Sequence, residues 1–447
     1  MKKKYSQTEY VIKYVKAILK WIIASVLIGA ACGLVGALFY SGVTRVTEIR
    51  AVYPWLLFLL PAAGLIITAM YMKFDIAGKG TDTVISAVRD GNTLKLSLIP
   101  AIFIGTVLTH LCGGSAGREG AALQIGGGLG NGVGSFVKMK PEDLGIATMA
   151  GMAAFFSAVF GTPLTATIFV VMFINVGSLY EMAVFPCFMS SMTAYYIAKE
   201  LGAKALQLRL ALPAAHPVLM IRLFLLAALC GVISTVMCLC FRTGKRFFHG
   251  VFQNPYIRVA AGGCSVVALT LLVKTGDYNG TGTEIIRRAV EEGVVIPYAF
   301  VLKIIFTTLT LESGYKGGEI VPTFFIGSTF GCLVAPLLGL PAHFGAAIGM
   351  VAVFGGATNT LIAPIFLGIE VFGGGGVLFF ALASIAGYIC SGYNGLYSSQ
   401  KIIYSKVRAA ARIDINTNKN VMVKGRDPRA YSRLIRSKAR RARKKRK

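Results

Sequence analysis

Four long apolar runs, at 21–40, 54–72, 217–242 and 257–273, constrain this chain more than any other feature. A helix needs about 20 mostly apolar residues to cross the hydrocarbon core of a bilayer. Of the 447 residues, 55% are hydrophobic and only 15% are charged, whereas a soluble domain carries about 25% charged residues. A chain this long and apolar cannot bury its hydrophobic surface in one water-soluble core. The sequence therefore predicts an all-α polytopic membrane protein and excludes a soluble enzyme, a secreted disulfide scaffold and a disordered chain.

Glycine and proline clusters divide the rest of the apolar sequence into segments of mostly 10–18 residues. These segments are too short for a straight crossing of a core that is roughly 30 Å thick. Non-helical backbone persists at membrane depth only where it is buried in protein or lines a cavity. Many short helices are therefore typical of a transporter or channel whose broken helices meet near the midplane.

The chain also repeats itself. Residues 78–82 correspond to 280–284, residues 114–119 to 314–319, and residues 163–169 to 360–366, at offsets of 202, 200 and 197. Three matches in the same order indicate two homologous halves, and we assign the first transmembrane repeat to 21–205 and the second to 206–400. The residues alone leave open whether the repeats are parallel or inverted.

Basic residues are concentrated at both ends of the chain. Of the formal net charge of +27, residues 401–447 supply +16, from 18 Lys and Arg against two Asp, and residues 1–20 are basic as well. Basic segments flank membrane helices on the cytoplasmic side and are attracted to anionic lipid. We therefore expect a cell-membrane protein with both termini cytoplasmic. We expect the tail to contact membrane lipid, in preference to the alternative of a nucleic-acid-binding arm.

The turn Gly113–Gly120 lies between two apolar segments and contains the charged pair Arg118-Glu119. Its glycines let backbone N–H groups converge, and the run that follows begins a helix there. A helix N-terminus carries about half a positive elementary charge and is a ready anion site. Charges inside membrane segments are functional by default. We therefore interpret Glu119 as a gate whose carboxylate fills the anion site until it is displaced or protonated; the alternative is a carboxylate that only caps its helix.

The second half carries a matching turn at Gly317–Pro322, whose N–H groups are expected to point at the same place from the other side. Glu319 in this turn is either a second carboxylate of the ion pathway or the partner of a cation such as Arg118 or Lys79. Lys79 stands in another glycine turn before a short helix. Its ammonium either neutralises a permeating anion or reaches to the cytoplasmic interface as a surface lysine.

Nothing in the sequence indicates catalytic chemistry. The four histidines and nine cysteines show no metal-ligand spacing, and neither a serine–histidine–acid set nor a P-loop is present. We therefore expect neither a cofactor nor a metal, and a protein that is not an enzyme.

The motif Gly117-Arg118-Glu119-Gly120 resembles that of the CLC family of chloride channels and anion/proton antiporters. The resemblance covers nearly the whole chain and includes the turns at 78–80 and 317–322 and a late tyrosine, Tyr397. It implies an inverted repeat of about 18 helices, many of them broken, and a homodimer with one pore per subunit. It makes Glu119 the external gating and proton-transfer residue, and it implies that the C-terminal CBS domains of many relatives are absent.

The departures from the usual family pattern concern the centre of the pathway. Lys79 replaces the usual anion-binding serine and Asp82 the usual proline. The antiporters' internal proton-carrying glutamate corresponds to Met172 and Phe173, so proton coupling by the usual internal route is not expected. A central site that lacks the usual serine and a Gly-Gly-Glu turn, which here ends at Glu319, are typical of the fluoride-exporting branch of the family.

Together these observations predict transport of a small inorganic anion, chloride or fluoride, coupled to proton exchange through Glu119. The predicted anion-binding residues are Lys79, Gly80, Gly117, Arg118, Gly120, Gly318, Glu319, Ile320, Val321 and Tyr397. The alternatives are a passive anion channel and a membrane scaffold whose basic tail, 401–447, recruits a partner.

Overall fold

A computed structural model describes residues 7–402 together with residues 405 and 406. The predictions made for residues 1–6 and for the basic tail from 407 onward lie outside these residues and stay predictions. The described residues form sixteen α-helices, three short 3-10 helices and two strands of two residues each.

The first half contains eight α-helices. They are α1 (Gln7–Val52), α2 (Leu60–Lys73), α3 (Thr81–Asp90), α4 (Leu98–Leu111), α5 (Glu119–Phe136), α6 (Pro141–Phe160), α7 (Pro163–Phe173) and α8 (Glu181–Glu200). A 3-10 helix, Pro54–Leu59, precedes α2. The run predicted at 21–40 is the middle of α1, which is 46 residues long and begins inside the segment 1–20 that we had set apart as a basic N-terminus.

The second half contains the other eight. They are α9 (Pro217–Val251), α10 (Pro255–Val273), α11 (Thr283–Glu291), α12 (Ala299–Leu311), α13 (Ile320–Val334), α14 (Ala342–Thr358), α15 (Ala363–Phe372) and α16 (Val377–Cys390). The remaining 3-10 helices are Pro336–Leu338 and Gly374–Gly376. Each helix has a counterpart in the first half in the same order: α13 packs on α14 as α5 packs on α6, and α9 packs on α16 as α1 packs on α8. The predicted duplication is therefore present in the fold.

Five helical segments are long and apolar enough to cross a membrane: Val11–Val52, Pro54–Lys73, Pro141–Phe160, Pro217–Val251 and Pro255–Val273. Seven further apolar helical segments among the described residues have only 10–17 residues. Both the long runs and the short segments predicted from the sequence are present. Short helices are tolerated at membrane depth where they pack against other protein segments, and α13 and α14, two of the short helices, pack against each other.

Close packing through small residues holds each half together. A methyl group on Gly151 in α6 would lie 2.1 Å from the carbonyl oxygen of Gly126 in α5, and one on Gly349 in α14 would lie 2.1 Å from that of Gly327 in α13. Only glycine permits helices to approach this closely, which is the usual basis of helix association in membranes. The two equivalent contacts hold α5 and α13, the helices that begin at the two glycine turns.

The two halves are also connected to each other. The Glu370 carboxylate of α15 accepts hydrogen bonds from the backbone N–H groups of Leu164 (2.9 Å) and Thr165 (2.8 Å) at the start of α7. Strand β1 (Asn175–Val176) pairs in parallel with β2 (Lys401–Ile402), a contact that the sequence did not predict. The described start of the segment 401–447 is thus packed on the first repeat.

Candidate functional site

The two glycine turns meet at the centre of the molecule. Gly117 and Gly318 form an antiparallel bridge in which each N–H donates to the carbonyl oxygen of the other residue at 2.7 Å. Helix α5 begins at Glu119 and α13 at Ile320. Two electropositive helix starts are therefore held side by side by paired backbone. This convergence was predicted from the matching turns.

The Glu119 side chain lies against this junction and is fully buried. The backbone amides of Arg118, Glu119 and Val321 are directed at its carboxylate. Neither carboxylate oxygen, however, has a hydrogen-bond partner of regular geometry among the described residues. Buried carboxylates normally have such partners, and exceptions call for an explanation. The missing partners are explained if the carboxylate occupies an anion-binding site that it can also leave.

Beneath the junction is a cavity of about 360 Å³. The predicted site residues in its lining are Lys79, Gly80, Gly120, Gly318, Glu319 and Tyr397. Three helix starts, those of α3, α5 and α13, therefore face one cavity that also contains a phenol, an ammonium and a carboxylate. Anions are favoured at helix N-termini because their unpaired N–H groups point outward.

Four of the predicted anion-binding residues are not part of this lining: Gly117, Arg118, Ile320 and Val321. The Arg118 guanidinium lies over the rings of Tyr40 (4.8 Å) and Phe160 (5.5 Å), on the side of α1 and α6. Arg118 therefore presents its backbone amide to the Glu119 carboxylate, while its guanidinium packs against these two rings. Ile320 and Val321 are buried at the start of α13.

Glu319 is the residue immediately before α13, and its side chain lines the cavity. Among the described residues it forms no ion pair with Arg118 or Lys79. The structure therefore favours the alternative in which Glu319 is a carboxylate of the cavity over the one in which it neutralises one of those cations.

Lys79 is partly exposed and lines the cavity. Its ammonium nitrogen lies 3.4 Å from the carbonyl oxygen of Asp75 and makes no ion pair among the described residues. An unpaired ammonium at the cavity is available to bind a mobile anion. A lysine at the protein surface, however, would be partly exposed in the same way. Its role stays a prediction.

Lys316 and Glu312 were not predicted as site residues, yet both line the same cavity. The Lys316 ammonium lies 4.1 Å from the centre of the Tyr71 ring, a cation–π contact that holds a charge away from water. Comparing the two repeats would have drawn attention to both residues, because their counterparts at an offset of 200 are the uncharged Ala116 and Cys112.

The segment that carries Tyr397 is held by Asp82, the residue at the usual proline position. The Asp82 carboxylate accepts hydrogen bonds from the backbone N–H of Ser399 (2.9 Å) and from the Ser398 hydroxyl (2.5 Å). The Arg89 guanidinium donates to the Ser399 carbonyl oxygen at 2.7 Å. Helix α3 and the tyrosine are thus joined by contacts that a proline could not make, which gives this departure a physical role.

At the usual position of the internal proton glutamate, Phe173 is fully buried and packs edge-on against Tyr397, with ring centres 5.1 Å apart. Met172 is partly buried and packs against the same hydrophobic core. Neither side chain can carry a proton, so a proton route through this position is not available.

Two duplicated helical halves, with helix starts and a buried carboxylate at their junction, define a membrane transport protein of multi-pass architecture. The family model described as voltage gated chloride channel matches residues 63–392. The chain therefore belongs to the CLC family, as its motifs predicted, and its two halves form the inverted repeat of that fold.

Individual relatives agree with this assignment. The chain is 33% identical over 404 residues to a chloride/fluoride channel protein of Pseudomonas syringae pv. tomato, covering 87% of this chain and 88% of that protein. It is similar to the crystal structure of a CLC-type fluoride/proton antiporter, with a TM-score of 0.84 and 32% identity over 89% of this chain and 100% of that one. A slow cyanobacterial Cl−/H+ antiporter shares the fold at 19% identity, with a TM-score of 0.70 over 83% of this chain and 94% of that chain.

Proposed function

We propose that this protein exchanges a small inorganic anion, fluoride or chloride, for protons across the cell membrane, with Glu119 as the gate. The single observation that carries the proposal is the fully buried Glu119 carboxylate, placed at two helix starts without a regular hydrogen-bond partner among the described residues. The relatives at 32–33% identity are named a chloride/fluoride channel protein and a fluoride/proton antiporter; both names support anion transport, and the second supports its coupling to protons.

The mechanism follows from the charge of the gate. While Glu119 is ionised, its carboxylate is the anion that the amides of Arg118, Glu119 and Val321 attract. Protonation removes the negative charge, so the attraction to the helix starts falls and the side chain leaves. A transported anion then takes its place. When the proton is released on the other side of the membrane, the carboxylate returns and expels the anion.

We assign the inner part of the anion path to the cavity. Gly80, Gly120 and Gly318 present helix starts there, while Lys79, Lys316 and Tyr397 contribute polar hydrogens. Gly117 and Ile320 keep the two turns in place. Fluoride is small and strongly hydrated, so it requires strong donors when its water is removed. Ammonium groups and helix starts together meet this requirement better than a single hydroxyl would.

The surroundings of the protein are also part of the proposal. We infer a homodimer with one pathway per subunit, inserted with both termini in the cytoplasm and the basic termini near anionic lipid. The exposed apolar side chains of the membrane helices, such as Ile23 of α1 (61% exposed) and Leu272 of α10 (76% exposed), would face lipid tails or the partner.

The proposal is tested with the purified protein in liposomes, using ion-selective electrodes for fluoride and chloride and a pH electrode. An outward anion gradient is expected to drive proton uptake against the proton gradient, with a fixed number of protons per anion. The passive-channel alternative is favoured by the absence of a carboxylate at Met172 and Phe173, and it predicts anion efflux without proton uptake. Efflux of neither anion would exclude both versions.

Replacing Lys79 tests the lysine's role in selectivity. We expect Lys79→Met to lower fluoride flux by roughly tenfold while changing chloride flux less, since a contact worth about 1.4 kcal/mol changes a rate tenfold. The measurement is the ratio of fluoride to chloride efflux in liposomes. Lys73→Met, which removes a fully exposed lysine at the end of α2, is the control. Equal ratios for both variants and the unmodified protein would identify Lys79 as a surface charge.

A further inference from the structure

Glu312 gives the cavity a carboxylate that the proposed function does not yet use. It is the first residue after α12, where its N–H donates to the Thr308 carbonyl oxygen at 3.1 Å. It is half-buried and lines the 360 Å³ cavity together with Glu319. Its carboxylate takes part in no ion pair within the described part of the chain. A carboxylate that is free to gain and lose a proton therefore lies in the proposed anion path.

Only a short segment of protein separates Glu312 from Glu119, the proposed gate. The turn 313–318 connects Glu312 to Glu319, and Gly318 forms part of the cavity wall. On the other side of Gly318 lies the gate, since a methyl group on that glycine would be only 2.3 Å from Glu119 Oε2. Glu319 is also close enough to interact electrostatically with both Glu312 and Glu119.

Two buried polar groups in this region lack a hydrogen-bond partner among the described residues, which indicates that water or an ion also occupies the region. The Glu119 oxygens have no hydrogen-bond partner of regular geometry within residues 7–402, 405 and 406. The same is true of Oε1 of Gln124, a residue that is 5% exposed and lines the cavity. Water molecules in a cavity of this size would satisfy the Gln124 oxygen and conduct protons between Glu312 and Glu319, which both line it.

We propose that Glu312 is the inner proton acceptor of this exchanger and takes over the task for which Met172 and Phe173 are unsuited. The proposal rests on the proposed function. A proton from the cytoplasmic side forms an O–H bond on the Glu312 carboxylate, moves through water to Glu319 and then reaches Glu119. Each carboxylate returns to its ionised form when it passes the proton on, so no other reactant is consumed.

The charged neighbours of Glu312 come from three sides. Lys245 of α9, Asp82 of α3 and Glu319 interact electrostatically with the Glu312 carboxylate. Lys79, Arg242, His249, Arg258 and Lys316 line the same cavity. The cations favour the ionised carboxylate and the two acids favour the protonated one. The Glu312 carboxylate therefore lies among cations and acids and is not neutralised by an ion pair with any described residue.

The test measures the number of protons moved per anion in liposomes for Glu312→Gln, Glu312→Asp and Glu312→His. We expect Glu312→Gln to retain anion efflux within about twofold and to lower the proton-to-anion ratio by roughly fivefold or more, as the loss of a proton donor costs a large factor in rate. The aspartate and histidine variants, which can still carry a proton, are expected to restore most of the ratio. Glu291→Gln, an exposed glutamate at the end of α11, is the matched control.

The outcomes separate this inference from the proposed function. If the unmodified protein moves no protons, the proposed exchange itself fails. If it does exchange and Glu312→Gln keeps the same ratio, only the role of Glu312 is overturned. Should Glu312→Gln lose all anion flux, the comparison is made between Glu312→His and Glu312→Met. Equal proton-to-anion ratios for those two variants would also overturn the inference, because only histidine can bind a proton.

Discussion

Glu119→Gln is expected to convert the exchanger into an uncoupled anion pathway. Glutamine has nearly the same shape, yet it cannot ionise and therefore cannot compete as an anion for the helix starts. The attraction of a negative charge to a helix start reaches about 2 kcal/mol in partly buried positions, so losing the charge weakens closure by roughly thirtyfold. In liposomes, anion efflux should persist while proton uptake driven by an anion gradient falls to background.

The control for this variant is Glu181→Gln. Glu181 is likewise the first residue of a helix, α8, but its side chain is exposed. It should exchange anions and protons at the normal ratio. If Glu119→Gln still moved protons against a gradient with the unmodified ratio, Glu119 would be only a helix cap, the alternative that the sequence left open.

Gly318→Ala is expected to abolish most transport because the added methyl group has no space. It would lie 2.3 Å from Glu119 Oε2, 2.5 Å from the Gly120 nitrogen and 2.7 Å from the Glu119 nitrogen. Two of these atoms are backbone and cannot move unless the bridge between Gly117 and Gly318 opens. Overpacking of this kind costs about 1–3 kcal/mol. Anion efflux should fall by roughly fivefold to more than a hundredfold, because an energy of this size applied to the barrier of the rate-limiting step changes the rate by that range.

The matched control is Gly276→Ala, where no atom lies within 4 Å of the added methyl group and the backbone suits any residue. Its efflux should equal that of the unmodified protein. The measurement is fluoride and chloride efflux from liposomes that contain equal amounts of folded protein, as judged by size-exclusion chromatography. Normal efflux from Gly318→Ala would mean that the two turns need not stay paired during transport.

Features that are local in the chain could be predicted from it. The apolar runs of α1, α2, α9 and α10 are continuous, and Gly117 and Gly318 occupy matching places in the two repeats. Because duplicated sequences adopt equivalent folds, the matched turns predict that two helix starts meet at one point.

Side-chain directions could not be predicted, because they depend on partners distant in sequence. The Arg118 side chain points away from the cavity because its guanidinium packs over the rings of Tyr40 and Phe160. In the sequence, Asp82 is recognisable only as a departure from the usual proline. Its structural role depends on its contact with Ser399, 317 residues further along the chain. The position of Glu312 in the cavity depends on how α12 and α13 are placed, which no local pattern specifies.

The pairing of β1 with β2 has a consequence for how the protein is made. Residues 175 and 176 are synthesised long before residues 401 and 402, to which they are paired. Tyr397 is carried by the segment that ends in this pairing. A chain released before β2 is synthesised would contain both repeats. It would lack the β1–β2 pair that follows the segment carrying Tyr397, which lines the cavity. Closure of the cavity around Tyr397 therefore waits until residues 401 and 402 have been synthesised and can pair with α7's neighbouring strand β1.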